Sequence, residues 1–290
     1  MEKLAIIFDM ETNDPDDYLT LLMLLGHRKV DLKAVSITPG SAYQVGLVRR
    51  TLSLFGKNIP VGAFDITHPK TCLSPWHEEV YGKVEPSDDA EEGAKVLAKY
   101  CNENTLLVTG APLKNVGKAL TIPHFQLGTL VAQGGFAGEG VVPEEKQLPQ
   151  FKGKLTCPTF NLNGDVPSAL KTLEAENIKK RYFVSKNVCH SVFYDATIHA
   201  EVKAKKEYSL ALSLIFKGMD RYLQKKPEGK KLHDPLAACC AIEPNIGTWE
   251  EVSLFRQKGE WGAKIDKNTN TWIITDYNRA LFLETFTDLA

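Results

Sequence analysis

The sequence predicts an α/β fold: a mixed, mostly parallel twisted sheet flanked by helices, built as a single domain over residues 1–290. Three observations predict it. The apolar run 4–8 reads as a buried parallel strand that feeds an acidic turn and then a helix candidate at 18–25. Strand and helix candidates alternate through the first half of the chain, the pattern of βαβ units. Several strand candidates end in small or polar residues, as at the carboxyl edge of an open sheet, where such folds bind ligands.

The elements follow in order. Residues 33–38 read as a second strand and 43–55 as its helix; 105–109 is a strand, 112–120 a helix, and 129–133 a strand again. The strand ends are Thr38-Pro39-Gly40-Ser41, Thr109-Gly110-Ala111-Pro112 and Gln133-Gly134-Gly135. Two stretches, 64–88 and 136–158, are rich in proline or glycine and read as long loops. Residues 201–226 carry a charged amphipathic helical pattern. The run Lys225-Lys226-Pro227-Glu228-Gly229-Lys230-Lys231 reads as a solvated turn, since clustered lysines most often face water. No internal repeat or low-complexity tract is apparent.

Bulk properties exclude several classes. The 290 residues carry 35 basic against 36 acidic side chains, so no global field draws the chain to nucleic acid or an anionic membrane. No apolar stretch approaches membrane-spanning length, and the N-terminal residues lack the h-region of a signal peptide. A cytoplasmic protein acting on a small molecule is the expectation. The six cysteines show no CxxC spacing; Cys239 and Cys240 fall in an apolar helix and read as buried thiols.

The chemistry concentrates in Asp9-Met10-Glu11-Thr12-Asn13-Asp14-Pro15-Asp16-Asp17. A helix N-terminus favours one or two acids through its dipole and its capping positions. Five acids in one turn repel each other unless a cation gathers them, and a hard, oxygen-seeking ion such as Ca²⁺ suits them better than Mg²⁺. A second hint is Leu232-His233-Asp234-Pro235, a His-Asp pair opening a helix with proline in its first turn.

Together these segments resemble the inosine–uridine-type nucleoside hydrolase family. The resemblance rests on Asp9…Asp16-Asp17, Gly40-Ser41, Thr109-Gly110-Ala111-Pro112-Leu113-Lys114-Asn115, Gly134-Gly135, Thr159-Phe160-Asn161 with Asp165, and His233-Asp234-Pro235, in the family's order. It runs from residue 4 to about 245, and the tail 275–282 is similar to the family's last strand and helix. It implies a nucleoside hydrolase-like domain with a Rossmann-like core, a Ca²⁺-dependent N-ribohydrolase activity on a nucleoside or nucleotide, and a homodimer or homotetramer. By the same resemblance Asp17, Asp234 and the Thr109 carbonyl hold the calcium ion, and Asp16 is the general base acting on a water that the ion holds. His233 matches the family histidine near the base that leaves.

The chain also departs from the family pattern. Its acidic motif is one residue longer, so the remaining carboxylate ligand falls to Glu11, with Asp9 as the alternative and Asp14 as a further fallback. Ser41 stands where the family has an asparagine that touches the ribose, and Asn161 keeps such a position. Thr159 replaces a glutamate that in the family binds the ribose hydroxyls, notably the 5′-hydroxyl, which relaxes the rejection of a 5′-phosphate. Trp76 and His77 lie in the loop where the family contacts the base; they read either as base contacts or as loop anchors.

Overall fold

The structure is a computed structural model that describes residues 3–290. Its strands are β1 (Leu4–Met10), β2 (Val30–Ile37), β3 (Val61–Ala63), β4 (Glu91–Glu92), β5 (Leu106–Thr109), β6 (Leu127–Gln133), β7 (Thr156–Cys157), β8 (Ile178–Val184), β9 (Phe193–Tyr194), β10 (Lys230–Lys231), β11 (Gly247–Gln257), β12 (Glu260–Ile265) and β13 (Thr271–Tyr277). Eleven of them form one sheet in the order β4-β3-β2-β1-β5-β6-β8-β13-β11-β12-β7. From β4 to β13 every neighbouring pair is parallel; β11, β12 and β7 continue the sheet antiparallel. The fold is the mixed, largely parallel α/β architecture that the alternation predicts.

The strand order changes direction between β1 and β5, which pair in parallel with Asp9 opposite Thr109. That is the switch point at which diverging connections leave a crevice beyond the carboxyl ends of the strands. Strand β1 is central because both its faces are apolar: Ile6, Phe8 and Met10 enter one core layer and Ile7 the other. Its helix, Pro15–Gly26, starts at a proline and is buried on nearly every side, because helices Leu210–Lys225 and His233–Ile242 pack against it. The chain therefore presses the acidic turn between the sheet and two helices.

Several boundaries differ from the sequence reading. The stretch 64–88 contains the helix Pro75–Tyr81, whose Trp76, His77 and Val80 are buried. The amphipathic region divides into helices Ala196–Lys205 and Leu210–Lys225, because the Ser209 side chain caps the second by accepting from the Leu212 amide. The lysine run is not wholly a solvated turn. Gly229 turns at φ +96, where an added Cβ would meet the Tyr194 carbonyl oxygen at 2.6 Å, and this close approach pairs β10 with β9. Lys230 is thereby carried inward and is only 5% exposed. Among the described residues no helix is long and apolar enough to cross a membrane.

Candidate metal centre

Asp9 ends β1 with its carboxylate fully enclosed. Its Oδ1 accepts from Ser36 Oγ at 2.6 Å and Asn115 Nδ2 at 2.9 Å, and its Oδ2 accepts from Thr109 Oγ1 at 3.2 Å. These bonds tie β1 to β2, β5 and the helix Lys114–Ala119. Burial pushes the Asp9 carboxyl up to about 6, against the pull of its three donors. With both oxygens committed to neutral donors, Asp9 is a tie between strand ends. The alternative that made it a metal ligand is corrected on that ground.

One turn later the acids converge. Asp16, Asp17 and Asp234 each offer an oxygen, and these three atoms lie within 4.8 Å of one another, all in buried side chains. The Glu11 amide donates to Asp17 Oδ1 at 2.9 Å, folding the turn back over the helix start. Asp16 Oδ2 accepts from the amides of His233 (2.9 Å) and Asp234 (3.3 Å), the exposed donors of the helix His233–Ile242. Gly110 lets the Asp234 carboxylate come close: a Cβ on it would sit 2.4 Å from the carboxyl carbon. Asp234 therefore rests on the turn that immediately follows Thr109, at the end of β5.

The charges are not equivalent. Burial, and then repulsion from the neighbouring carboxylates, pushes Asp17 and Asp234 far above the ordinary carboxylate range. Burial alone would raise Asp16 as well, but Lys230, His233 and the helix amides outweigh it, and the net shift is downward. Asp16 is thus the member of the cluster held ionised by the protein itself. Glu11 is pushed up to about 8, mainly by burial and then by Asp16, Asp14 and Asp9. Its side chain borders a cleft of about 560 Å³ that Thr38, His68, Lys70 and Lys114 also line.

Lys230 is the residue that sequence reasoning missed. Its Nζ lies 3.0 Å from Asp14 Oδ1 and 3.1 Å from Asp16 Oδ1, with the side chain 6% exposed. A signal was present: Gly229-Lys230 stands just ahead of the His-Asp-Pro motif, and glycine there permits the turn that swings the lysine inward. Asp14, a fallback ligand from sequence, is instead the second partner of this ammonium.

The residues expected near a sugar or base divide. Ser41 is corrected: its Oγ donates to the Thr71 carbonyl at 2.7 Å and accepts from the Gln44 amide as part of a capping box. Trp76 and His77 are buried and make contacts of the kind the anchor reading describes. Trp76 Nε1 donates to the Gly218 carbonyl at 3.1 Å, and His77 Nε2 lies 3.0 Å from the Thr12 carbonyl. Both rings pack edge-on with Tyr18, and Trp76 rests on the helix Leu210–Lys225 at Gly218. Asn161 is held by Nδ2 bonds to the Gly110 and Gln133 carbonyls and to Gln133 Oε1, which leaves its Oδ1 without a partner. Thr159 Oγ1, His233 Nε2 and both amide atoms of Asn187 are likewise buried and unpartnered. Asn187 lies in the short helix Lys186–Cys189, and no motif in the sequence marks it.

A divalent cation fits this donor set. Three buried carboxylates, whose mutual repulsion a cation would relieve, form an all-oxygen site of the kind hard cations take. An open α/β sheet whose switch point carries a buried tricarboxylate pocket defines a class of metal-site proteins. A family model described as inosine-uridine preferring nucleoside hydrolase matches residues 6–284, and the chain belongs to that family.

Solved structures agree on the fold. A plant nucleoside hydrolase, the PpNRh1 enzyme, superposes with a TM-score of 0.70 at 15% identity, covering 98% of each chain. A purine-preferring ribonucleoside hydrolase from Gardnerella vaginalis gives 0.69 at 16% identity over 97% of this chain and 96% of its own. An inosine-uridine preferring nucleoside hydrolase from Bacillus anthracis gives 0.69 at 19% identity over 98% of each. No curated protein matches the chain by sequence.

Proposed function

We propose that the chain is a Ca²⁺-dependent N-ribohydrolase that splits the N-glycosidic bond of a nucleoside or its 5′-phosphate. The observation that carries this reading is the tricarboxylate cluster, with one member, Asp16, held ionised beside it. Asp17, Asp234, Glu11 and the Thr109 carbonyl are the residues that would hold the cation; when bound, it would position a water and lower its pKa.

The rest is the work of the chain's own groups. Asp16, ionised by Lys230 and the helix amides, is the acceptor for the proton of the attacking water. As the bond to the base lengthens, positive charge develops on the sugar, and the surrounding carboxylates stabilise it. His233 is half-buried beside Asp16 with its buried Nε2 free, which leaves that nitrogen available to hydrogen-bond the departing base. Asn161, pinned by three bonds with Oδ1 free, presents an acceptor for a sugar hydroxyl.

A second reading is a calcium- and riboside-binding protein without turnover; the occupied Ser41 hydroxyl favours it, since it removes one expected sugar contact. The deciding experiment is reducing-sugar release from purine, pyrimidine and modified-base ribosides and their 5′-phosphates, with Ca²⁺ and with chelator. Chelator-sensitive release is expected. Calcium binding by calorimetry with no release from any of them would establish the binding reading instead.

A further inference from the structure

A basic wall stands beside the acid cluster, and the hydrolytic chemistry leaves it unused. Lys186 opens the short helix Lys186–Cys189 after β8, and its Nζ donates to the Pro158 carbonyl at 3.0 Å. The same ammonium lies 5.9 Å from the centre of the Phe151 ring, as does that of Lys154. His190 packs edge-on against Phe151 at 5.3 Å, and Lys231 Nζ lies 3.5 Å from His190 Nδ1. The His190 ring in turn stacks on that of His233, 5.3 Å away at 4°. His233 gives its backbone amide to Asp16, so the wall is continuous with the reaction centre.

The wall has more positive charge than the protein balances. Nearby Lys146 and Lys152 pair with Asp276 and Glu144, yet among the described residues neither Lys186 nor Lys231 has a carboxylate within 4.0 Å. Two polar groups in the same segments are also unmet: Thr159 Oγ1, next to the Pro158 carbonyl, and the Asn187 amide, next to Lys186, are 4% and 2% exposed residues without a partner. Buried donors left unmade are costly, and native structures keep few of them. Two unpaired ammonium groups with spare donors in the adjoining residues match an anion that has several acceptor oxygens.

We propose that Lys186 and Lys231 bind a phosphate monoester on the sugar of the substrate, so that the preferred substrate is an N-riboside 5′-phosphate. The proposal rests on the N-ribohydrolase reading and deepens it. The 5′ position is chosen by reach: His233 adjoins Asp16, and Lys231 contacts the second ring of the stack, so a phosphate there suits the exocyclic arm of the sugar. In the reaction the C1′–N bond breaks with its electron pair on the base, and the water oxygen bonds C1′. One water proton goes to Asp16, the base leaves with a proton from solvent, and ribose 5-phosphate is the second product.

The test compares kcat/KM of the calcium-loaded protein on matched nucleosides, their 5′-monophosphates and their 3′-monophosphates. The 5′-monophosphate should be preferred, and the double variant K186M/K231M should cut that preference about tenfold or more, mainly through KM. Calorimetry of ribose 5-phosphate binding, with K186Q as the milder variant, gives a readout that survives if the double variant folds poorly; weaker binding is expected. Cleavage of nucleosides with no preference for the 5′-phosphate, or a preference for the 3′ isomer, overturns the phosphate wall and leaves the hydrolase reading standing. A preference that the variants do not change also overturns it. No release from any substrate overturns both.

Discussion

Asp16, Asp17 and Glu11 reach the sheet edge on a single turn, whereas Lys186, His190, Lys230 and Lys231 reach it from two separate segments of the second half of the chain. The acid floor is local: a strand end, a turn and a helix start are contiguous, and only Asp234 joins from afar. The basic rim is tertiary, and depends on β9 pairing with β10 and on the turn after β8. The two also differ in how their charge is met. The floor crowds Asp17 and Asp234 against other carboxylates, while the rim leaves Lys186 and Lys231 without a carboxylate partner among the described residues. Lys230 joins the two regions by spending its charge on Asp14 and Asp16.

The sharpest way to break the comparison is at Asp16, the ionised member of the floor. Substituting Asp16→Asn should lower kcat by about 10²–10⁴-fold, the range in which a positioned general base contributes. Calcium should still raise the melting temperature of the variant, because Asp17 and Asp234 remain. A kcat within a few-fold of the parent would mean that Asp16 is not the base.

Next in size is the link between floor and rim. Lys230→Met leaves Asp16 buried without its counter-charge, and breaking a buried pair on one side costs about 3–5 kcal/mol. Urea unfolding in chelator should show that loss. Calcium should recover part of it, since the ion supplies positive charge to the same cluster. An unchanged urea midpoint would mean that the helix amides alone hold Asp16.

The pH response separates the floor from the rest of the fold. Glu11 rises from 4.5 to about 8 on folding, and Asp17 and Asp234 shift in the same direction, so the folded protein holds these protons more tightly than the unfolded chain does. The stability they contribute is complete below the unfolded value and is lost as pH rises through the folded one. With chelator, the melting temperature should therefore fall between about pH 5 and pH 8. Saturating calcium should flatten that fall; at a hundredfold excess over Kd its binding adds about 2.7 kcal/mol. A chelated protein that gains stability across this window would contradict the raised carboxylates.

These contrasts also explain what the sequence could express. Asp16 and Asp17 were legible because repulsion among adjacent carboxylates has few resolutions other than a cation, Asp234 through the resemblance of its His-Asp-Pro motif, and the structure brings those three together. Strands β1, β2, β5 and β6 were legible because their apolar runs are buried in the middle of the parallel part of the sheet; β3, β4 and β8 were not, being short or charged. Strands β11 and β12 were not, since they are half-exposed and mix charge with apolar residues. Trp76 and His77 could not be placed from sequence, because a buried anchor and a ligand-stacking ring have the same composition; only the Gly218 and Thr12 carbonyls decide between them. Lys230 is hidden among lysines in sequence, and the three neutral donors that hold Asp9 come from strands and a helix far along the chain, where no local pattern reveals them.

The smallest predicted effect tests the correction at Ser41. Its hydroxyl caps the helix Ala42–Leu54 and holds the Thr71 carbonyl, which sits on the same loop as Cys72, the acceptor for Thr12 of the acidic turn. Ser41→Ala should therefore cost about 1 kcal/mol in unfolding free energy, the usual value of an N-cap, and leave KM within twofold or so. A sugar contact predicts the reverse: an unchanged urea midpoint with KM raised several-fold. The two outcomes differ in which quantity moves, so one denaturation curve and one saturation curve on the same variant decide whether Ser41 belongs to the frame of the site or to its ligand.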